Sequence, residues 1–173
     1  MLHVGLVGTR GVNLARGVRS GGAPALSGSL RASLEREGCA ADNRSDAGRT
    51  HVPQAGYTVD PPAGGDHDPV PAPAGFYDTG DVPTDGHLVH SLEHGYVDIW
   101  YGNGLSTDQV NSLKSFADQD KVLVISYPNL PAGKSVAMTT WGRLQSCDKV
   151  DTDEIQAYID QYKLKTAPEP SAA

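Results

Sequence analysis

Three apolar segments in the second half of the chain have the length and composition of β-strands. Residues 96–101 alternate between polar and apolar and carry aromatic and β-branched side chains, a pattern typical of a strand. Residues 121–127 are almost continuously apolar, as in a central strand covered on both faces. Residues 135–141, with an extension to Leu144 also allowed, form the third run. We therefore predict three strands in this part of the chain.

Two helices are predicted between and after these strands. Ser106 begins the first helix, because Gln109 lies at the third helical position and completes a capping box. Asp151 begins the second helix in the same way. Apolar residues then recur at the spacing i, i+3, i+4, i+7 from Ile155 to Tyr162, which gives the second helix one apolar face.

The order strand–helix–strand–strand–helix predicts an α+β domain built on a small mixed β-sheet. The first strand, the crossover helix and the second strand form a right-handed parallel unit, and a short turn makes the third strand antiparallel. We expect the helices on one face of the sheet. Residues 51–86 precede these elements and are rich in Pro and Gly, so they are predicted to form a long loop packed over the core.

Composition divides the chain near residue 50. Residues 1–49 hold seven Arg, no Lys and four acidic residues, whereas residues 50–173 hold seven basic and seventeen acidic residues. The first aromatic residue is Tyr57. A segment so poor in large apolar side chains buries too little surface to offset its ordering entropy. We therefore predict a disordered or non-native segment at 1–49 and a single α+β domain at 50–173, whose thermal stability does not depend on that segment.

Charge and hydropathy argue against several classes of function. The net charge of −7 argues against nucleic-acid binding, which requires clustered Lys and Arg. No stretch approaches the ~20 apolar residues of a transmembrane helix, and the first residues do not form a secretory signal, so the chain as written is expected to be soluble. We do not expect a disulfide between Cys39 and Cys147, and the two make no zinc motif. The sequence identifies no protein partner.

His90, Glu93 and His94 are the strongest candidates for a site that carries chemistry. In an extended strand, His90 and His94 lie about 13 Å apart and cannot share one ion. In a helical turn they are neighbours, about 5–6 Å apart at Cβ, and both rings reach one metal ion. Asp85 is placed to cap such a turn, and Gly95 to end it in the left-handed conformation. We therefore predict a helical turn that carries two ligands.

His67 is the expected third ligand. Gly64 and Gly65 shortly before it allow the backbone to turn sharply and to approach another segment closely. Asp66 is expected to hold the ring nitrogen of His67 that does not face the metal, as partners of metal-binding histidines do. His51 is expected to support the site in a similar way.

The expected metal is zinc or copper, because imidazole suits both ions. Glu93 is then a fourth ligand or a general base, and the latter role makes a metal-dependent hydrolase one alternative. Residues 90–94 also fit H-x-x-E-H, the inverted zincin motif, but that motif belongs on a long helix for which this segment is too short. The other alternative is a metal-free protein-interaction module in which the histidines are structural.

Five segments, in this order, resemble a bacterial family of unknown function. They are HV at 51–52, PPAGGDH at 61–67, GFYD at 75–78, VHSLEHG at 89–95 and VAMTTWGR at 136–143. The resemblance covers about residues 50–170. It implies a domain outside the cytoplasm behind an N-terminal membrane anchor, which relatives usually have and this chain does not show. It implies no particular reaction.

Overall fold

A six-stranded mixed β-sheet and three α-helices form the described part of the chain. The structure is a computed structural model that describes residues 38–43 and 48–172. The predicted α+β class is confirmed. In chain order, the elements are β1 (Cys39–Asn43), β2 (Gly75–Tyr77), α1 (Asp85–Glu93), β3 (Val97–Tyr101), α2 (Thr107–Lys114), a 3-10 turn (Ser115–Asp118), β4 (Val122–Ser126), β5 (Val136–Thr140), β6 (Arg143–Cys147) and α3 (Thr152–Tyr162).

The sheet has the strand order β1-β6-β5-β3-β4-β2. Strand β4 runs parallel to both β2 and β3, whereas the β3–β5, β5–β6 and β6–β1 pairs are antiparallel. The expected parallel unit of β3, α2 and β4 is therefore present. Strand β5 runs in the predicted direction but pairs with β3, so the chain crosses over β3 instead of folding back onto β4.

Capping side chains begin the two helices that the sequence predicted. The Ser106 side chain accepts a hydrogen bond from the Gln109 amide, and the Gln109 side chain accepts one from the Ser106 amide, which completes the predicted capping box. The Asp151 side chain accepts hydrogen bonds from the amides of Asp153 and Glu154. These contacts fix the start of α2 at Thr107 and of α3 at Thr152, each one residue after the predicted cap.

The apolar core lies on both faces of the sheet. Leu113 of α2 and Ile155 of α3 belong to a cluster with the odd-numbered residues of β3, such as Ile99. Leu88 of α1 belongs to a second cluster with Trp100, which faces the opposite way because side chains alternate along a strand. The expectation of helices on one face therefore holds for α2 and α3 but not for α1.

A tight hairpin divides the segment that the sequence predicted as the third strand. Strands β5 and β6 are joined at Trp141 and Gly142, so that Thr140 pairs with Arg143. Gly142 has a φ of +74°, a backbone conformation that residues with a Cβ rarely adopt. The extension beyond Trp141 is consequently a separate strand that runs back along β5.

Strand β1 lies within the segment that composition assigned to disorder. It pairs antiparallel with β6 from Cys39 to Asn43 and forms one edge of the sheet. Cys39 and Cys147 are directly opposite each other and form a disulfide, so the expectation of no disulfide is wrong. Residues 1–37 lie outside the described part of the chain. The recurrence of Leu26, Leu30 and Leu34 at every fourth position predicts a short helix there, and this prediction also lies outside the described residues.

Residues 48–74 cross the same face of the sheet as α1 without forming a helix or a strand of their own. An isolated parallel bridge joins His51 to His67, with the Val52 amide donating to the His67 carbonyl at 2.7 Å. Strand β2 and the start of α1 interrupt the loop that was predicted to continue to residue 86. No helix among residues 48–172 is long and apolar enough to cross a membrane.

We predict that Gly95→Ala lowers the free energy of unfolding by about 2–4 kcal/mol. Gly95 ends α1 with a φ of +87°, as the sequence predicted, and an added Cβ would lie 2.9 Å from Cα of Leu164 and 2.7 Å from its Cδ2. The loss combines left-handed strain of about 1–2 kcal/mol with overpacking of about 1–3 kcal/mol. Chemical denaturation measures it.

Gly104→Ala is the matched control for this prediction. Gly104 has a nearly equal φ of +89°, but no described heavy atom lies within 4 Å of the added Cβ. Gly104→Ala should therefore lower the free energy of unfolding only by the strain contribution of about 1–2 kcal/mol. Equal losses for the two variants would contradict a tight contact between Gly95 and the segment that carries Leu164.

Candidate metal centre

Helix α1 places His90 and Glu93 on its last turn and His94 at its C-cap. Thr84 is its N-cap, and Asp85, the predicted cap, is the first helical residue. The helical arrangement brings the rings together: Nε2 of His90 lies 3.0 Å from Nε2 of His94. The prediction that these residues lie on a helical turn is therefore confirmed.

His67 reaches the end of α1 from the neighbouring loop and is completely buried. Gly64 and Gly65 have φ values of +148° and +121°, so the backbone makes the sharp turn that the two glycines predicted. Nδ1 of His67 lies 2.7 Å from the carbonyl oxygen of Gly65, which directs Nε2 to Oε2 of Glu93 at 3.0 Å. The edge of the ring packs against Trp141, with 5.7 Å between ring centroids.

His51 completes a group of four side chains. Its Nε2 lies 3.7 Å from Oε2 of Glu93, and its ring stacks on that of His90 with centroids 4.8 Å apart. One ligand atom from each of His51, His67, His90 and Glu93 lies within 4.8 Å of the others. The side chain of His51 is 50% exposed, whereas the other three residues are buried. The group is thus open to solvent on the His51 side.

Backbone carbonyls fix the tautomers of two of these rings. Nδ1 of His67 contacts the Gly65 carbonyl, and Nδ1 of His90 contacts the Asp68 carbonyl at 2.6 Å. Because a carbonyl oxygen only accepts, Nδ1 is the protonated nitrogen of each ring. Each neutral ring then presents the Nε2 lone pair to the group, as metal-binding histidines held by a backbone carbonyl do.

Burial keeps His90 in the form that binds metals. It lowers the pKa of His90, as do the neighbouring imidazoles of His94, His67 and His51, against the opposing effect of the hydrogen bond to the Asp68 carbonyl. The neutral ring is therefore favoured, and only the neutral ring can act as a ligand.

The structure gives Asp66 a different role from the predicted one. Its carboxylate accepts a hydrogen bond from the Thr50 amide at 2.9 Å, and its carbonyl accepts one from the Tyr57 hydroxyl at 2.7 Å. The Gly65 carbonyl contacts the ring of His67 instead. Asp66 thus holds the loop that carries His51, and it acts on the group through that loop.

His94 and Glu169 extend the group toward the C-terminus. One ligand atom from each of Glu93, His94 and Glu169 lies within 4.8 Å of the other two. The sequence analysis did not include Glu169, because it lies in a Pro-containing tail whose position depends on tertiary packing and leaves no local signal.

Two cavities flank residues 53–57 beside this group. One has a volume of about 590 Å³ and is lined by residues that include Tyr57, Gly65 and Asp66. The other has a volume of about 560 Å³ and is lined by residues that include Asp68 and His87. The four ligand candidates are not among the described residues that line either cavity. The cavities therefore lie next to the group without opening onto it.

The family described as "Protein of unknown function (DUF3105)" matches residues 51–173. The chain belongs to the DUF3105 family. The DUF3105 match begins at His51 and includes His67, α1 and Glu169, so every residue of the two groups lies inside it. It does not include β1 or Cys39. The comparison with curated proteins found no match, and neither did the comparison with solved structures.

Proposed function

We propose that this domain binds one transition-metal ion through His51, His67, His90 and Glu93. The observation that carries the proposal is the convergence of three imidazoles and one carboxylate, whose ligand atoms all lie within 4.8 Å of one another. Three of these side chains are buried, where unpaired polar groups are unfavourable.

The contact between His67 and Glu93 supports this proposal. Nε2 of neutral His67 and the ionised Glu93 carboxylate are both acceptors, yet they lie 3.0 Å apart in the protein interior. A shared proton or a bound metal cation between the two atoms satisfies both of them.

The ligand set favours zinc or copper, as the sequence led us to expect. Imidazole binds both ions, and a set of three imidazoles with one carboxylate is compatible with the four-coordinate geometry of zinc. We assign His51, which the sequence predicted only to support the site, to this set because of its distance from Glu93. We assign His94, which the sequence predicted as a ligand of this ion, to the neighbouring group.

A reaction is not part of the proposal. A hydrolase needs a cleft at Glu93, whereas the described cavities lie beside the loop. An interaction module needs an exposed aromatic patch, but the exposed large hydrophobic residues within 38–43 and 48–172 are Val70 and Leu164. Metal binding is the function that the geometry supports best.

We also propose that the domain works outside the cytoplasm. The disulfide between Cys39 and Cys147 supports this location, because structural disulfides persist in oxidising compartments and are rare in the reducing cytosol. The family resemblance led to the same expectation.

His51→Ala should weaken the binding of Zn²⁺ or Cu²⁺ to this site at least tenfold. The loss of a contact outside the ligands typically weakens metal binding 10–100-fold, and the loss of a ligand should do no less. Because His51 is half exposed, its replacement leaves the core packing intact. Isothermal titration of tag-free, chelator-treated protein measures the affinity.

His87→Ala is the matched control. This ring is also partly exposed and lies on α1, but its Nδ1 contacts the Val70 carbonyl and it belongs to neither ligand group. It should bind the metal like the wild type. Equal affinities for all three proteins, or no uptake of either ion by the wild type, would refute the proposed site.

A further inference from the structure

The C-terminal tail folds back onto the end of α1. The Leu164 amide donates to the Gly95 carbonyl, and the Glu169 amide donates to the Glu93 carbonyl, each at 3.0 Å. Nζ of Lys121 donates to the carbonyls of both His94 and Ala172, also at 3.0 Å. Seven residues of three segments are thereby joined, and the Glu169 side chain is held beside the last turn of the helix.

His94 has a ring nitrogen without a partner at this point. Nδ1 of His90 donates to a carbonyl, so in the metal-free protein Nε2 of its neutral ring accepts, and the contact between the two Nε2 atoms makes Nε2 of His94 the donor. Nδ1 of neutral His94 then carries a lone pair. This nitrogen is buried and has no hydrogen-bond partner in the described part of the chain. The residue as a whole is only 8% exposed.

We propose that Glu93, His94 and Glu169 hold a second divalent cation. The inference rests on the proposed function in one respect, since Glu93 also belongs to the first ligand set. One ligand atom from each of the three residues lies within 4.8 Å of the others. Nδ1 is the buried ring nitrogen of His94 that lacks a hydrogen-bond partner, and a cation bound to it would supply one.

The two sets of ligands differ in chemistry. The first set has three imidazoles, whereas the second has two carboxylates and one imidazole, which suits first-row divalent ions such as Zn²⁺ and Mn²⁺. A carboxylate has two oxygens, so Glu93 is able to bind both ions, as in sites that use two metals. Glu169 is exposed and provides the entry side of the second position.

Zinc stoichiometry tests the proposal. Tag-free full-length protein is stripped with a chelator and equilibrated with Zn²⁺ alone, and bound zinc per chain is measured after removal of free ions. We expect two equivalents for the wild type and one for Glu169→Gln, because the second position loses a charged ligand. Asp160→Asn removes an exposed carboxylate from α3 and should retain two.

The possible results separate this inference from the proposed function. Two equivalents in Glu169→Gln would place the second ion elsewhere and overturn the inference. One equivalent in the wild type that is lost in His51→Ala would overturn the inference but leave the first site standing. No zinc in the wild type would overturn both. The second position is supported only if the wild type binds two equivalents, Glu169→Gln binds one and Asp160→Asn binds two.

Discussion

Reduction of the disulfide should lower the free energy of unfolding by about 3–5 kcal/mol and the melting temperature by roughly 10 °C. Cys39 and Cys147 are 108 residues apart in the sequence. Closing a loop of about 100 residues removes unfolded-chain entropy equivalent to about 4.7 kcal/mol, and native disulfides typically contribute 2–5 kcal/mol. At this chain length, each kcal/mol changes the melting temperature by about 2–4 °C.

Thermal melts with and without a reductant measure this effect in the wild type. The double variant Cys39→Ala, Cys147→Ala is the control, because it should melt at a reduced temperature that no reductant changes further. Both cysteines are buried, so the double variant also loses packing. Its melting temperature with reductant is therefore compared with its own melting temperature without reductant, and not with that of the wild type. If oxidised and reduced wild type melt together, the bridge makes no contribution to stability.

A chain that begins at Thr50 provides a second test, because it measures how much strand β1 contributes to stability. The composition of residues 1–49 led to the expectation that this truncation leaves stability unchanged. Strand β1 leads to the opposite expectation, because the truncation removes Cys39 and the whole β1–β6 pairing. We expect a loss at least as large as that caused by reduction. An unchanged melting temperature would support the domain boundary at residue 50 that composition indicated.

The elements that the sequence predicted well are those defined by local patterns. The capping box at Ser106 and the helical period of α3 involve residues within two turns of each other, so the sequence contains them directly. Strand β1 has no such pattern, since its Ala40, Ala41 and Asp42 have low strand propensity. Its structure depends on pairing with β6, more than a hundred residues away.

The residues of the candidate site can also be divided into those that have a local sequence signal and those that do not. His90 and Glu93 could be found because their spacing is local, and His67 because two glycines precede it. The position of His51 depends on its bridge with His67, and that of Glu169 depends on the docking of the tail. Both are tertiary contacts, and neither has a local sequence signal. The role of the Gly65 carbonyl, rather than Asp66, as the partner of His67 was also beyond prediction, because any residue can supply a carbonyl.

Asp98 should make the protein less stable as the pH rises, and Asp98→Asn should abolish this dependence on pH. Asp98 lies on β3, is completely buried, and has no hydrogen-bond partner for either carboxylate oxygen among the described residues. Burial raises its pKa well above the ordinary value, so the native state keeps the carboxyl protonated. The nearby ionisable residues Tyr77 and Tyr96, whose pKa values burial also raises, are neutral between pH 4 and 8.

The sign of the effect follows from proton binding. Above the ordinary pKa of an aspartate the unfolded chain releases this proton, whereas the native state retains it until the raised pKa is reached. The unfolded state then binds fewer protons, so Asp98 makes the protein less stable as the pH rises through that window. The slope approaches about 1.4 kcal/mol per pH unit. Asparagine has the same shape and does not ionise, so the variant lacks this slope.

The measurement is the difference in unfolding free energy between Asp98→Asn and the wild type from pH 4 to pH 8. We expect similar stability near pH 4 and an increasing advantage of the variant toward neutral pH. Asp81→Asn, which changes an exposed carboxylate, should follow the wild type throughout. Because other groups titrate identically in all three proteins, they cancel in the difference. A difference that stays flat with pH would contradict the prediction, because Asp98 would then ionise in the native protein as it does in the unfolded chain.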